Sequence, residues 1–198
     1  MADSSQFKVL ASARNLALLK LGRNIFNFSL VEQWLKYLVT TSDVTIIGNQ
    51  IDKKTSKKIE KSQKMMLGQL VSDILEIWHP ENQSTNNRTE DLFDIRLSTS
   101  FRIEMNLSDY NSLKLSLEQL LKDRNYLVHQ FSKEFLLNNA ENCHKAAIYL
   151  DESREKHLSI MESIRGMTNS CQEAIKIQGK PLGPDELWNH IESEQLNN

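Results

Sequence analysis

The segment Arg124-Asn125-Tyr126-Leu127-Val128-His129 carries the side chains of this chain that are best suited to chemistry. Around it, apolar residues between positions 113 and 135 recur at helical steps of three, four or seven, and that pattern calls for a leucine at position 124. An arginine occupies the position instead. Because burying an unpartnered guanidinium is costly, we expect Arg124 to have a buried carboxylate, an interface or a bound anion as its partner.

The three polar groups of this segment could bind an anion and transfer a proton. Asn125 and His129 are four residues apart and share a helix face, whereas Arg124 lies about 140° around the helix from His129 but has a long side chain. Histidine, with an ordinary pKa of about 6.5, can take or give a proton at physiological pH. Arginine stays charged and binds phosphate oxygens.

The pattern Arg-Asn-x-x-x-His, late in a helix of a small helical chain, resembles the HEPN superfamily. Residues 120–131 look like that family throughout, and so do Gly22-Arg23-Asn24-Ile25 and Leu67-Gly68-Gln69-Leu70 in the earlier helices. Many HEPN proteins are ribonucleases, often toxins or defence effectors. The resemblance thus implies RNA as substrate, and with these side chains attack by a ribose 2′-hydroxyl would yield a 2′,3′-cyclic phosphate without a metal ion. The resemblance implies a homodimer in which the arginine and histidine of both protomers form one composite cleft.

Carried onto this chain, the resemblance makes Arg124 and His129 the catalytic pair and Asn125 the residue that orients them. Glu32 is the nearest candidate for a supporting acidic residue that recurs in the first helix of several branches. In HEPN toxins silenced by an MNT-type nucleotidyltransferase, a tyrosine two residues after the histidine is modified. Phe131 stands at that position here and has no hydroxyl, so we do not expect this control and interpret Phe131 as core.

Two plainer interpretations stay open for the same segment. In one, Arg124 is structural and pairs with a carboxylate such as Glu32 or Asp123. In the other, the chain is a non-catalytic HEPN-like module that dimerises and binds RNA, a nucleotide or a regulatory protein. An RNA digestion assay on the native sequence and on a His129 variant distinguishes these interpretations from catalysis.

A lysine-rich stretch between positions 52 and 64 is the second feature that could bind RNA. It carries six lysines against Asp52 and Glu60: Lys53, Lys54, Lys57, Lys58, Lys61 and Lys64. The plain interpretation is a solvated helix face. Against it, Lys57 and Lys58 would fall in the first helical turn, where positive charge opposes the macrodipole, which hints at a phosphate ligand.

Composition limits the other possibilities. The chain has 198 residues, which is enough for one domain. Its net charge of −2 provides no overall positive potential that would attract polyanions. The two cysteines, Cys143 and Cys171, are widely spaced, so we expect two reduced thiols. Neither a signal peptide nor an apolar run of membrane-spanning length is found in the sequence, which favours a cytoplasmic protein without a membrane partner. We expect no cofactor and no metal site. An antitoxin or regulatory protein is a further expected partner.

Periodicity predicts a mainly α fold, an up-and-down bundle of four main helices. These helices are expected over residues 5–40, from a cap at Thr55 or Ser56 to 79, over 108–137, and from a cap at Asn139 to 178. In the first helix, Gly22 could cause a bend or a split. The apolar face of this helix is expected to hold Leu10, Leu16, Leu19, Ile25, Phe28, Val31, Leu35 and Leu38.

Two irregular segments complete the predicted domain, a single HEPN-like domain over residues 1–198. Residues 79–106 form an insertion, in which 80–90 is a loop and 93–105 alternates apolar and polar residues as a small β-hairpin does, with a turn at Ser98-Thr99-Ser100. Residues 179–198 form a C-terminal extension with a short helix over 185–193.

Overall fold

The computed structural model describes residues 4–47, 50–81, 96–99, 101 and 103–177, and within them the chain is mainly helical. The helices are α1 (Ser4–Thr41), α2 (Lys53–Lys64), α3 (Leu67–Ile77), α4 (Leu107–His129), α5 (Phe131–Glu134) and α6 (Ala140–Ile177). The strands are β1 (Val44–Ile47), β2 (Gln50–Ile51) and β3 (Arg96–Thr99). The predicted helix over 185–193 lies outside the described residues.

The described residues group into two compact units. The first contains the described residues up to Val31 and those of Leu115–Glu162, and the second contains the described residues of Glu32–Lys114 and those from Ser163 onward. The long helices α1, α4 and α6 therefore each contribute a part to both units.

The core of the first unit is built partly from small and polar side chains. On α1 the buried positions are Ala13, Ala17, Asn24, Phe28 and Val31, spaced by three, four or seven residues. Asn24 fills an apolar position because its Nδ2 donates to the Leu150 carbonyl at 3.0 Å and to the Lys20 carbonyl at 3.0 Å. The prediction of Leu16 and Leu19 as core is wrong, since these side chains are 40% and 71% exposed.

Helix α1 is continuous, so Gly22 neither splits nor ends it. Helix α6 begins as predicted, with Asn139 Oδ1 accepting from the Asn142 N–H at 2.8 Å. The leucine stripe of α4 is also confirmed, because Leu113, Leu117, Leu120 and Leu127 are all buried.

The second predicted helix is two helices. Asp52, rather than Thr55 or Ser56, caps α2, since its Oδ2 accepts from the Lys54 N–H at 3.3 Å. Extended backbone at Met65 and Met66 then separates α2 from α3, and the Met66 N–H donates to Gln69 Oε1 at 3.1 Å. Methionines form helices well, so nothing in the sequence marked this break.

The predicted turn at Ser98-Thr99-Ser100 is wrong for its first two residues. Ser98 and Thr99 lie in β3, which pairs antiparallel with the β-branched strand β1 in the register Val44↔Thr99 and Ile47↔Arg96. Strand β2 pairs with the other edge of β1, so the sheet order is β2-β1-β3. Residues 93–95, which belong to the predicted hairpin, lie outside the described residues.

Candidate functional site

The motif segment occupies the last turns of α4, and the helix ends at His129. Gln130 follows with its N–H donating to the Tyr126 carbonyl at 2.8 Å, and α5 begins at Phe131. The predicted continuation of this helix to position 137 is therefore wrong. The end of α4 places His129 in the final turn, where it is exposed.

Arg124 is half-buried, and its Nη1 donates to Asn125 Oδ1 at 3.1 Å. Asn125 is exposed, so an amide and a guanidinium are joined at the surface of α4. Within the described ranges, no carboxylate pairs with Arg124. Asp123, which we considered as its structural partner, contacts His157 instead.

Arg124 and His129 do not meet within one chain. They lie about 140° apart around α4, and no hydrogen bond or ion pair joins them in the part of the chain that the structure describes. In that described part of the chain, the His129 side chain has no hydrogen-bond or ion-pair partner. The free imidazole is therefore available to a ligand or to a second copy of the chain.

Glu32, the proposed supporting acid, accepts from Lys36 Nζ at 2.9 Å. It lies in the second unit, whereas the motif lies in the first. Its carboxylate is thus engaged by a neighbour one turn further along α1, and its role at the site stays a prediction.

A buried histidine–carboxylate pair lies immediately beside the motif in the sequence. His157 of α6 is 4% exposed, with Nε2 at 3.0 Å from Asp123 Oδ2 and its ring edge-on to Phe28. Burial lowers the pKa of His157 below 6.5, and the Asp123 carboxylate partly opposes this shift. His157 falls on the same stripe as the buried Leu150 and Ile164, and this spacing is the signal that could have revealed it.

An aromatic cluster covers the end of the motif helix. It consists of Tyr126, Phe131, Phe135 and Tyr149, with ring centroids 5.0 to 5.5 Å apart for the pairs 131–135, 135–149 and 126–149. Phe131 is 2% exposed, which confirms it as core. The other three rings are half-buried.

The phenol of Tyr126 donates to Glu134 Oε2 at 2.5 Å. Burial and the Glu134 carboxylate both raise the pKa of Tyr126, so this phenol keeps its proton at physiological pH. Tyr126 thus belongs both to the motif segment and to the aromatic cluster, a connection that the sequence pattern did not reveal.

The lysines of α2 share one face of that helix. Thr55, Ile59 and Ser62 are buried on one side, and the six lysines lie within an arc of about 140° on the other. The first turn holds Lys53 and Lys54 rather than Lys57 and Lys58, because α2 begins at Lys53. The exposed lysines are Lys53, Lys54, Lys57, Lys61 and Lys64, and Lys64 pairs with Glu60 at 2.6 Å.

Lys58 differs from the other five lysines. It is half-buried, and its Nζ donates to Ser42 Oγ at 2.9 Å. Burial lowers the pKa of Lys58, and Asp43 and Asp73 act in the opposite direction. It lines a cleft of about 610 Å³ together with Lys61 and the carboxylates of Asp43, Asp73 and Glu76. Since carboxylates repel phosphate, this cleft weakens the prediction of RNA contacts for Lys58 and Lys61.

The two cysteines, Cys143 and Cys171, are free and buried. Cys171 donates to Thr41 Oγ1 at 3.3 Å, and burial raises the pKa of its thiol, which makes it a poor nucleophile. Among the described residues, no group of three or more His, Cys, Asp or Glu side chains could hold a metal ion.

None of the helices in the described ranges is long and apolar enough to cross a membrane. No family model matches the chain, and no curated protein or solved structure matches it significantly.

Proposed function

We propose that this chain is a metal-independent RNA endonuclease of HEPN type, with a composite site formed by Arg124 and His129 of two protomers. The observation that carries the proposal is that the polar groups of the motif are all at least partly exposed at the end of α4. A guanidinium, an amide and an imidazole all reach the surface within one and a half turns, and in the described part of the chain the imidazole has no internal partner.

The geometry of the single chain supports a dimer in this proposal. Because Arg124 and His129 lie about 140° apart around α4, one copy does not assemble a phosphate-binding cation and a proton-transfer group on one side. A second copy, packed across the motif helix, would bring its own pair to the opposite wall of a shared cleft. Asn125 would hold the guanidinium through the hydrogen bond that it already accepts from Arg124.

The proposed reaction needs only groups from the motif and the RNA. One His129 takes the proton of the ribose 2′-hydroxyl as the 2′-oxygen forms its bond to phosphorus. The bond from phosphorus to the 5′-oxygen breaks, and the His129 of the other protomer gives a proton to that oxygen. Arg124 stabilises the charge that builds on the non-bridging oxygens. The products are a 2′,3′-cyclic phosphate and a free 5′-hydroxyl.

Exposed lysines of α2 supply a second contact to RNA in this proposal. Lys53, Lys54 and Lys57 reach solvent on one helix face, and contacts of this kind bind phosphate without regard to sequence.

The biological role of the chain and the arrangement of its helices belong to the proposal as well. We infer an up-and-down bundle of four main helices, a cytoplasmic location and a toxin or defence effector that an antitoxin or regulatory protein restrains. What supports this inference is the mainly helical chain and the position of the motif late in a long helix.

The test is the digestion of a defined RNA by the purified chain and by two variants. His129→Ala and Arg124→Ala are each expected to lose about 100- to 10,000-fold in cleavage rate. The matched controls are His144→Ala and Lys122→Ala, which remove an exposed imidazole and an exposed cation of the first unit outside the motif. Cleavage retained by both motif variants would contradict the proposal, and so would inhibition by EDTA.

A non-catalytic binding module is the second candidate. It is favoured by the bond between Arg124 and Asn125, which already satisfies one guanidinium N–H, and by the separation of Arg124 from His129. In that case RNA would bind but the native chain and His129→Ala would show the same digestion at every pH and salt concentration.

A further inference from the structure

The rings of the aromatic cluster beside the motif are neither fully buried nor isolated. Tyr126, Phe135 and Tyr149 are half-buried, and Phe135 and Tyr149 pack against Phe131, which is buried. The Phe135 and Tyr149 centroids are 5.3 Å apart with planes inclined by 35°, and Tyr126 lies 5.5 Å from Tyr149. Packing against a buried ring restrains these partly exposed rings, so their apolar faces would lose little rotamer freedom on binding.

Polar groups line one edge of these faces. The Tyr126 hydroxyl is bonded to Glu134 Oε2 at 2.5 Å, and Glu134 is exposed. The carboxylate keeps further acceptor sites that face solvent. Such a combination of an apolar face and a hydrogen-bond acceptor at its edge matches a nucleobase, which has a flat π-face and N–H donors around its rim. An aliphatic protein segment would cover the rings and leave the carboxylate poorly solvated.

The cluster is continuous with the motif. Tyr126 lies between Arg124 and His129 in the sequence, and it is three residues from His129 on the helix surface, about 60° away in rotation. A base lying on these rings would therefore keep its ribose and phosphate near the imidazole. This adjacency distinguishes the cluster from other exposed aromatics of the first unit, such as Phe26 on α1.

We propose that Tyr126, Phe135 and Tyr149 form a stacking site for one unpaired nucleobase of single-stranded RNA, next to the phosphate on which Arg124 and His129 act. This inference rests on the proposed function. It adds single-stranded RNA as the class of substrate, because a base can lie on these rings only when its faces are not already stacked within a duplex.

The experiment measures RNA binding without cleavage. The His129→Ala chain is titrated against a fluorescein-labelled 12-nucleotide oligoadenylate and against the same strand made with abasic riboses, with fluorescence anisotropy as the readout. Phe135→Leu is then introduced, because leucine keeps an apolar side chain on Phe131 and removes the flat ring. Phe26→Leu, on an aromatic that is 62% exposed, is the matched control.

Phe135→Leu is expected to weaken binding of the oligoadenylate by about fivefold or more, and to leave binding of the abasic strand unchanged. Phe26→Leu should change neither. Equal effects on both strands, or none on either, would overturn the stacking site, as would the absence of any binding to the oligoadenylate. A second variant, Tyr149→Leu, must reproduce the result while the circular dichroism melting curve stays intact. Because the readout is binding, a failure of this inference can be told apart from a failure of cleavage by the native chain.

Discussion

The polar side chains at the end of α4 and those around Lys58 in the second unit differ in what they bond to. Lys58 donates to Ser42, and Thr40 and Ser62 are joined at 2.9 Å, so the polar groups there are bonded to one another. At the end of α4, the Arg124 side chain bonds, among the described residues, only to its neighbour Asn125, and His129 is exposed. Bonded polar groups mainly support the fold, whereas exposed groups of matched chemistry are available to a ligand.

The same contrast appears within the motif region itself. Asp123 contacts the buried His157, whereas the side chains of the next two residues, Arg124 and Asn125, bond to each other and to no other side chain in the described ranges. We therefore expect changes at neighbouring positions of α4 to act on different properties: stability at position 123, and RNA cleavage at positions 124, 125 and 129.

The largest expected effect concerns the substrate. If the exposed motif groups assist a 2′-hydroxyl, a single 2′-deoxynucleotide at the mapped cleavage site removes the nucleophile. Cleavage at that bond should fall by at least about 1,000-fold, because an intramolecular nucleophile is lost. The measurement is gel analysis of the modified RNA beside the all-ribose strand. Undiminished cleavage would mean that water attacks directly and that our chemistry for the motif is wrong.

The next effect separates positions 123 and 125. Asp123→Ala leaves the buried His157 without its carboxylate and should lower the free energy of unfolding by about 1–3 kcal/mol. Asn125→Ala, at an exposed position two residues further along α4, should change it by less than about 0.5 kcal/mol. Urea denaturation followed by circular dichroism measures both. Similar losses at the two positions would remove the distinction that we draw between them.

His157 should make stability depend on pH. Its pKa is lowered in the folded chain by burial, so below about pH 6.5 the unfolded chain binds a proton more readily than the folded chain does. The free energy of unfolding should therefore fall as the pH drops through this value toward the folded pKa.

His157→Gln tests that pH dependence, with His144→Gln as a control on an exposed histidine of the same helix. The fall in stability between about pH 7.5 and 5 should be shallower in the first variant and unchanged in the second. An unchanged pH dependence in both variants would mean that His157 does not titrate differently on folding.

The smallest effect concerns two adjacent lysines of α2. Lys57 is exposed, whereas Lys58 donates to Ser42 and lies beside Asp43 and Asp73. Lys57→Gln should weaken RNA binding modestly and reduce the slope of log affinity against log salt by about 0.7. Lys58→Gln should leave the slope unchanged. Equal salt-dependence slopes for the two variants would show that Lys57 and Lys58 contribute equally to RNA binding, despite the bond of Lys58 to Ser42.

The sequence predicted the parts of the fold in which leucine sets the helical period. The buried leucines of α4 and the Asn139 cap of α6 are examples, because a strong local signal decides each of them. The face of α1 was predicted poorly in the first unit, since Ala13, Ala17 and Asn24 form the buried stripe while more apolar residues stay exposed. Alanine and asparagine contribute little to a hydropathy pattern.

Other features depend on distant partners that a local pattern does not contain. The pairing of β3 with β1 joins residues about fifty positions apart. The period-two pattern therefore indicated a strand, but the predicted hairpin gave it a local partner in place of β1. At the candidate site, the motif residues were predictable from their types and spacing. The pairing of Asp123 with His157 and the contact of Tyr126 with Tyr149 each join α4 to α6, and only the tertiary structure brings them together.

The shared cleft is tested most directly by mixing two inactive variants. Arg124→Ala and His129→Ala chains are unfolded together and refolded, so that heterodimers form in which one protomer supplies the imidazole and the other supplies the guanidinium. Our proposal predicts that the mixture recovers RNA cleavage that neither variant shows alone. If heterodimers are detected and the mixture stays as inactive as its components, the two protomers do not share a composite Arg124–His129 site.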